Sequence, residues 1–314
     1  MSEKAPRRRI WRWLLPGLWL LLLAPAWVAL FWGGFAGVFA WLMLTSLLPL
    51  AGIPALLCTL VYAAVKRRAS TPTLLTAALS LLASWPLGWF FGIAPLAYPA
   101  SVERTGPAAT VRLPSDLPLR VLWGGNSVST NYHAIFPSQR WAYDLGIEPA
   151  LTGSTEFADY GCWGSVVLAP TNARVHLAHD GEPDVTPGLL TNEEAPLGNF
   201  VSLELSSKTY LVIGHLQSGS VVVRAGDDVT EGQLLGRCGN SGHTSEPHIH
   251  LHHQREPLNP AYSAVAEGLP LFFRDHGGPP MPEGGLELVG ERPVARGVVV
   301  RHQGSTVPTG LQAP

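Results

Sequence analysis

The stretch GNSGHTSEPHIHLHH, from Gly239 to His253, holds five of the chain's eleven histidines. In an extended strand successive side chains alternate between faces, so His248, His250 and His252 line one side and Ile249 and Leu251 the other. The first face is built to bind something. The second is aliphatic and suited to burial.

The surrounding sequence extends this reading. SVVLAP (residues 165–170), ARVHLA (173–178), NFVSLEL (199–205), TYLVIGHL (209–216) and SVVVRAG (220–226) are short, rich in β-branched and aliphatic residues, and bounded by Gly, Pro, Asn and Asp. Each reads as a strand, and no stretch after about Val111 has sustained helical periodicity. The expectation is an all-β domain of antiparallel sheets forming a groove, over residues 101–276, large enough for a proper core. Beyond it GGPPMPEGG (277–285) shifts the composition to Pro and Gly. Residues 277–314 read as a loosely ordered tail with one strand at most, in ARGVVVRHQG.

The first hundred residues differ in chemistry. After Glu3 the next acidic residue is Glu103, and three apolar runs fill the interval: Ile10 to Trp32, Gly34 to Val65 and Leu74 to Pro99. A membrane-spanning helix needs about 20 apolar residues, so each run is long enough to cross once. The middle run is overlong, and LPLAGIP (48–54) is expected to kink or tilt it rather than split it. Eight of the eleven tryptophans fall here, as expected of residues that favour membrane interfaces. Basic residues favour the cytoplasmic side, which places Arg7 to Arg9 and the Lys66-Arg67-Arg68 loop inside and, after three crossings, exports the β domain. A cleaved signal peptide is the alternative for the first run, but two further runs would still anchor the chain.

With 21 basic and 23 acidic side chains the net charge is near zero, and the exported part carries no basic stripe. This argues against nucleic acid as a partner. Cys58 lies in an apolar run and reads as a small apolar residue. Cys162 and Cys238 lie in the exported domain, where a disulfide is chemically permitted and two free thiols are the alternative.

Three short motifs bring potential ligands together: AYDLG (142–146), GHL (214–216) and PHIH (247–250). Imidazole with carboxylate suits zinc, which in catalytic sites takes three protein ligands and leaves one position for water. Residues 198–253 also carry, in order, a strand ending in His-Leu, the turn region VRAGDDVTEGQLLG, the GNSG loop and PHIH. This order closely resembles the second half of the lysostaphin-type, or LytM-like, zinc endopeptidases, whose fold is a duplicated hybrid motif. The resemblance implies that Asp144 and His250 are zinc ligands and that His215 and His248 are catalytic. Its implied substrate is peptidoglycan, cut at peptide bonds of stems or cross-bridges from a multi-pass anchor in the bacterial inner membrane, on the periplasmic or extracellular side.

The chain departs from that family at the first ligand. The family usually has His-x-x-x-Asp, and the corresponding position is Arg140, which stays protonated and cannot ligate zinc. Alternation from Asp144 back to Arg140 would place the guanidinium on the cleft face, where it could bind substrate. His133 is expected to replace the missing ligand from a loop folded over the site, with His176 or His179 as rivals. Two other readings compete. One is a metal-free relative that binds cell wall or activates another hydrolase, although such domains have lost several site residues that this chain keeps. The other is a hybrid-barrel carrier or export adaptor, for which the hairpin-tip lysine or long helical hairpin is missing.

Overall fold

The computed structural model describes residues 7–91, 93, 98–190, 194–259, 265–290 and 292–304. The chain divides into two compact units, residues 1–98 and 99–314.

The first unit is helical. α1 (Arg7–Trp32) contains Pro16 and Pro25 and ends where Gly33 and Gly34 take positive φ. α2 (Gly34–Leu42) runs through a π-helical turn, Met43–Leu47, into α3 (Leu48–Lys66). The expected irregularity of the second run is therefore present, one turn earlier than LPLAGIP suggested. The ring of Pro49 and its missing N–H bear on the turn before it, where a π turn absorbs the mismatch. α4 (Thr71–Ser84) and the short α5 (Leu87–Phe90) complete the unit. Three segments, Ile10–Trp32, Gly34–Lys66 and Thr71–Phe90, are long and apolar enough to cross a membrane. Their outer faces are apolar as well: Leu21, Phe31, Leu50 and Val65 are each exposed.

The second unit is β-rich. Its strands in chain order are β1 (Ala109–Val111), β2 (Leu119–Trp123), β3 (Tyr143–Gly146), β4 (Val166–Leu168), β5 (Ala173–His179), β6 (Asn199–Glu204) and β7 (Tyr210–Leu216). They continue as β8 (Asp228–Val229), β9 (Leu234–Arg237), β10 (Ile249–Gln254), β11 (Leu271–Phe273), β12 (Leu286–Val289), β13 (Arg292–Ala295) and β14 (Val299–Val300). Eight of them form one antiparallel sheet in the order β14-β2-β3-β10-β7-β6-β5-β8. β4 and β9 pair antiparallel, and β1 and β11 form a small parallel pair.

One face of the large sheet is the core. Val121, Tyr143, Leu145, Leu211, Ile213, Val201, Leu203, Ile249 and Leu251 pack there with Val167 and Leu235 of the β4–β9 pair and with Leu271 and Phe273. Burial of that face fixes the register, because a one-residue slip would turn every aliphatic side chain outward. The other face carries the even-numbered residues of β3 and β10, Asp144, His250 and His252, beside a small apolar cluster of Leu197, Phe200, Val212 and Leu258.

Two expectations about strands need correction. SVVVRAG forms no ladder: the Val221 and Arg224 amides donate to the carboxylates of Asp180 and Asp227, and the Ser220, Val222 and Gly226 amides go to three separate carbonyls, of Gln217, Leu235 and Val175. The segment after Gly277 is not a loose tail over its described residues. β12 and β13 form a hairpin, and β14 joins the large sheet beside β2. A disulfide links Cys162 to Cys238.

Candidate metal centre and active site

Asp144 on β3 lies directly opposite His250 on β10, and His250 lies opposite Gly214 on β7. Strand alternation turns both functional side chains to the open face while their neighbours enter the core. The His250 Nδ1 lies 2.9 Å from Asp144 Oδ1, and the His248 Nε2 lies 3.3 Å from the same oxygen. His248 sits just before β10 and continues its alternation.

Alternation alone would put His215 on the wrong face. Leu211 and Ile213 of β7 enter the core, and a regular strand would send residue 215 after them. Pairing with β6 instead steps from Ile213 to Leu216 while the partner steps only from Val201 to Asn199, which is a bulge. His215 takes a left-handed backbone, φ 59°, at the bulge. That conformation costs a non-glycine residue on the order of 1 kcal/mol or more. Two hydrogen bonds hold it: the His215 amide donates to the Leu197 carbonyl, and its own carbonyl accepts from the Gly239 amide. The result returns Leu216 to the core and places the His215 ring 4.8 Å from His248 and 5.6 Å from His250.

His133 arrives from outside the sheet, on a single 3-10 turn, Tyr132–Ile135. Asn131 caps that turn by accepting the His133 amide proton, and its amide group donates to the carbonyls of Gly125 and Ala142. The His133 Nε2 then faces Asp144 Oδ2 at 3.5 Å, and its ring lies 5.1 Å from that of His250. Tyr132 stacks on the His133 ring and donates its hydroxyl to Asp144 Oδ2 at 3.3 Å. Two overlapping ligand sets result, His133 with Asp144 and His250, and His215 with His248 and His250. In each set the donor atoms lie within 4.8 Å of one another.

The outward nitrogens decide what the inward ones can do. Nδ1 of His133 meets the Asn131 side-chain oxygen, Nδ1 of His215 the Ser241 carbonyl, and Nδ1 of His248 the Glu246 carbonyl. These oxygens only accept, so each outward nitrogen of a neutral ring carries the proton and each inward Nε2 presents a lone pair. A carboxylate surrounded by inward lone pairs is mutually repulsive without a cation among them. The donor set of imidazole nitrogens and one carboxylate suits zinc, and partners on the outward nitrogens are what metal-binding histidines carry.

The site's electrostatics follow from burial. It pushes the His133 imidazole down to about 3 and His215 well below the ordinary range, so both stay neutral at physiological pH. Burial alone would raise the Asp144 carboxyl, but His133 and His248 outweigh it and hold the group ionised. For His248 burial acts downward, and Asp144 outweighs it to raise the imidazole.

Arg140 is elsewhere. β3 begins only at Tyr143, so the alternation that was to carry Arg140 onto the cleft face does not extend to it. Arg140 follows the 3-10 turn Pro137–Gln139 and is 2 % exposed. Its Nε donates to the Pro99 carbonyl, its Nη2 to the backbone and side-chain oxygens of Asn126, and the guanidinium lies over the Trp141 ring. His176 packs on Tyr210 and His179 bonds Glu182, so neither rival joins the cluster.

Sequence reading missed several contributors. His252 was on the predicted face, and its alternation with His250 was the available signal. Asn131 stands two residues before His133, the spacing of a side chain capping a short turn. Ser241 acts through its carbonyl, for which only the flanking glycines gave a hint. A Cβ on Gly242 would stand 2.4 Å from the Gly198 amide nitrogen, and one on Gly198 would stand 2.3 Å from the Ser241 carbonyl carbon.

Residues 160–260 match the model of Peptidase family M23. The matched stretch contains His215, His248 and His250, while His133 and Asp144 precede it. Among solved structures, a Pseudomonas aeruginosa protein described as a peptidase M23 shares 18 % identity over 46 % of this chain and 44 % of its own, with a TM-score of 0.29. The catalytic domain of lysostaphin from Staphylococcus simulans shares 18 % over 40 % of this chain and 73 % of its own, TM-score 0.26. A chain of the SpoIIIAH and SpoIIQ complex shares 16 % over 50 % of this chain and 96 % of its own, TM-score 0.32. The chain thus spans less than half the length of the Pseudomonas aeruginosa protein. No curated protein matches.

Proposed function

We propose that the chain is a membrane-anchored zinc metalloendopeptidase that cuts peptide bonds of peptidoglycan stems or cross-bridges. The observation that carries this reading is the convergence of three inward imidazole nitrogens, of His133, His248 and His250, on the Asp144 carboxylate, with the His215 ring beside His248 and His250. His133, Asp144 and His250 would hold the metal. Bound there, zinc supplies a Lewis acid for a substrate carbonyl and acidifies a water to a pKa of about 7.

In their neutral forms His215 and His248 present Nε2 lone pairs beside the ligand set, so either can take a proton from water and return it to the leaving amine. The protonated ring then carries the charge that offsets a developing oxyanion. Their Nδ1 protons stay fixed on the Ser241 and Glu246 carbonyls throughout. Leu197, Phe200 and Val212 are buried beside these rings and close the site on its apolar side. The three apolar helical segments would anchor the domain, and the basic loop at Lys66 to Arg68 would face the cytoplasm, leaving the domain on the outer side.

The test is metal analysis with a hydrolysis assay on the full chain in detergent. One zinc per chain and release of peptides from purified peptidoglycan, both lost on chelation, are expected. His133→Ala should lose zinc and turnover together. A folded protein that takes up no zinc and stays inert would support a non-catalytic binding module instead.

A further inference from the structure

Three buried side chains and one backbone carbonyl form a directional chain behind His250. The His250 Nε2 lies 2.9 Å from His252 Nδ1, and the His252 Nε2 lies 3.0 Å from the Gln254 side-chain oxygen. The Gln254 amide nitrogen in turn donates to the Glu256 carbonyl at 2.8 Å. His250, His252 and Gln254 are 2 %, 2 % and 1 % exposed, so solvent does not compete for these bonds.

The direction of every bond follows from its last member. The Glu256 carbonyl only accepts, so the nitrogen of the Gln254 amide must face it and the oxygen must face His252. That oxygen also only accepts, so His252 carries its proton on Nε2 and presents a lone pair at Nδ1. A lone pair at Nδ1 requires His250 to donate from Nε2. The His250 Nδ1, which faces Asp144, is then left without a proton in the neutral ring, which is the form a metal ligand needs.

We propose that His252 is a positioning residue of the metal centre: through Gln254 and the Glu256 carbonyl it selects the His250 tautomer and fixes the ring so that Nδ1 is the ligand atom. This rests on the metal-centre reading above and adds a residue to it. It also accounts for the third imidazole on the open face of β10. That ring acts on the centre through His250 and contacts no substrate.

Two measurements test it on the full chain in detergent. The first is the histidine-nitrogen resonances of isotopically labelled, zinc-loaded protein, in which His250 should carry its proton on Nε2 and bind metal through Nδ1. The opposite tautomer overturns the proposal without any mutation. The second is zinc affinity by competition with a chromophoric chelator. His252→Leu fills the space without offering an acceptor and should weaken zinc roughly ten- to hundredfold, while His252→Glu restores an acceptor and should recover most of the loss. Wild-type affinity in a folded His252→Leu protein refutes the positioning role. Absence of zinc binding in the wild type refutes the metal-centre reading, and with it the role assigned to His252.

Discussion

Replacing Arg140 by Met separates a structural guanidinium from a substrate-binding one. Its fork donates to the carbonyls of Pro99 and Asn126 at 3.1 and 2.6 Å, and the Asn126 side-chain oxygen it also reaches keeps a second donor, Trp141 Nε1. Removing the guanidinium therefore orphans the buried Pro99 carbonyl, at about 1–3 kcal/mol, whereas Asn126 is exposed and water can replace the lost donor there. The lost contact over Trp141 adds about 1 kcal/mol, and the methionine stem recovers part of the total through apolar burial. A net loss of about 2 kcal/mol lowers the melting temperature of a domain this size by roughly 4–8 °C. Burial lowers the guanidinium only to about 10, so it is charged throughout the usable pH range and the effect should not vary with pH. Calorimetric melting reads the loss, and KM and zinc affinity should stay at wild-type values. An unchanged melting temperature with a raised KM would return Arg140 to the cleft and refute this reasoning.

Three further outcomes are expected. The Cys162–Cys238 bridge closes a separation of 76 residues, so replacing both cysteines by Ala should cost about 4 kcal/mol on the loop-entropy model; alkylation of both thiols in unreduced, folded protein would remove the bridge. His253 is buried between the Thr209 hydroxyl and the Pro270 carbonyl and held down to about 4, below its unfolded value. Its contribution is therefore intact above pH ~6.5 and drains away, by up to about 3 kcal/mol, as pH falls toward 4, a slope that denaturant titrations should find and that His253→Gln should remove. Reporter fusions after residue 68 should read cytoplasm and fusions after residue 105 the exterior; inverted signals would place the β domain inside and end the peptidoglycan assignment.

Much of this architecture was legible because its causes are local. Three apolar runs bounded by charge or turn residues need no partner to be recognised, and the period of two on β10 and β3 puts Asp144 and His250 on one face once the strands pair. The failures are equally physical. SVVVRAG has strand composition, but the carboxylates of Asp180 and Asp227 take two of its amides and the others go to scattered carbonyls. ARGVVVRHQG does supply the one strand expected of the tail, β14, but the β12–β13 hairpin before it was not expected, because the Pro and Gly around it mask its pattern. Arg140 was misplaced because a period of two was run three residues past the start of the strand.

His215 and His133 mark the boundary of what periodicity can deliver. Both reach the site by breaking it, one through a bulge in a strand and the other through a turn outside the sheet. A regular β7 would bury residue 215 among the aliphatics, and its left-handed backbone is tolerable only because the Leu197 carbonyl and the Gly239 amide close on it from two other loops. Those loops meet where Gly198 and Gly242 approach too closely for side chains, and the Ser241 carbonyl between them fixes the His215 ring. The disulfide ties Cys238, just after β9, to Cys162 in the turn before β4. The glycines and the cysteine of RCGNSG thus act on chemistry they do not touch: they hold the one backbone irregularity that turns a core-facing position into one beside the metal ligands.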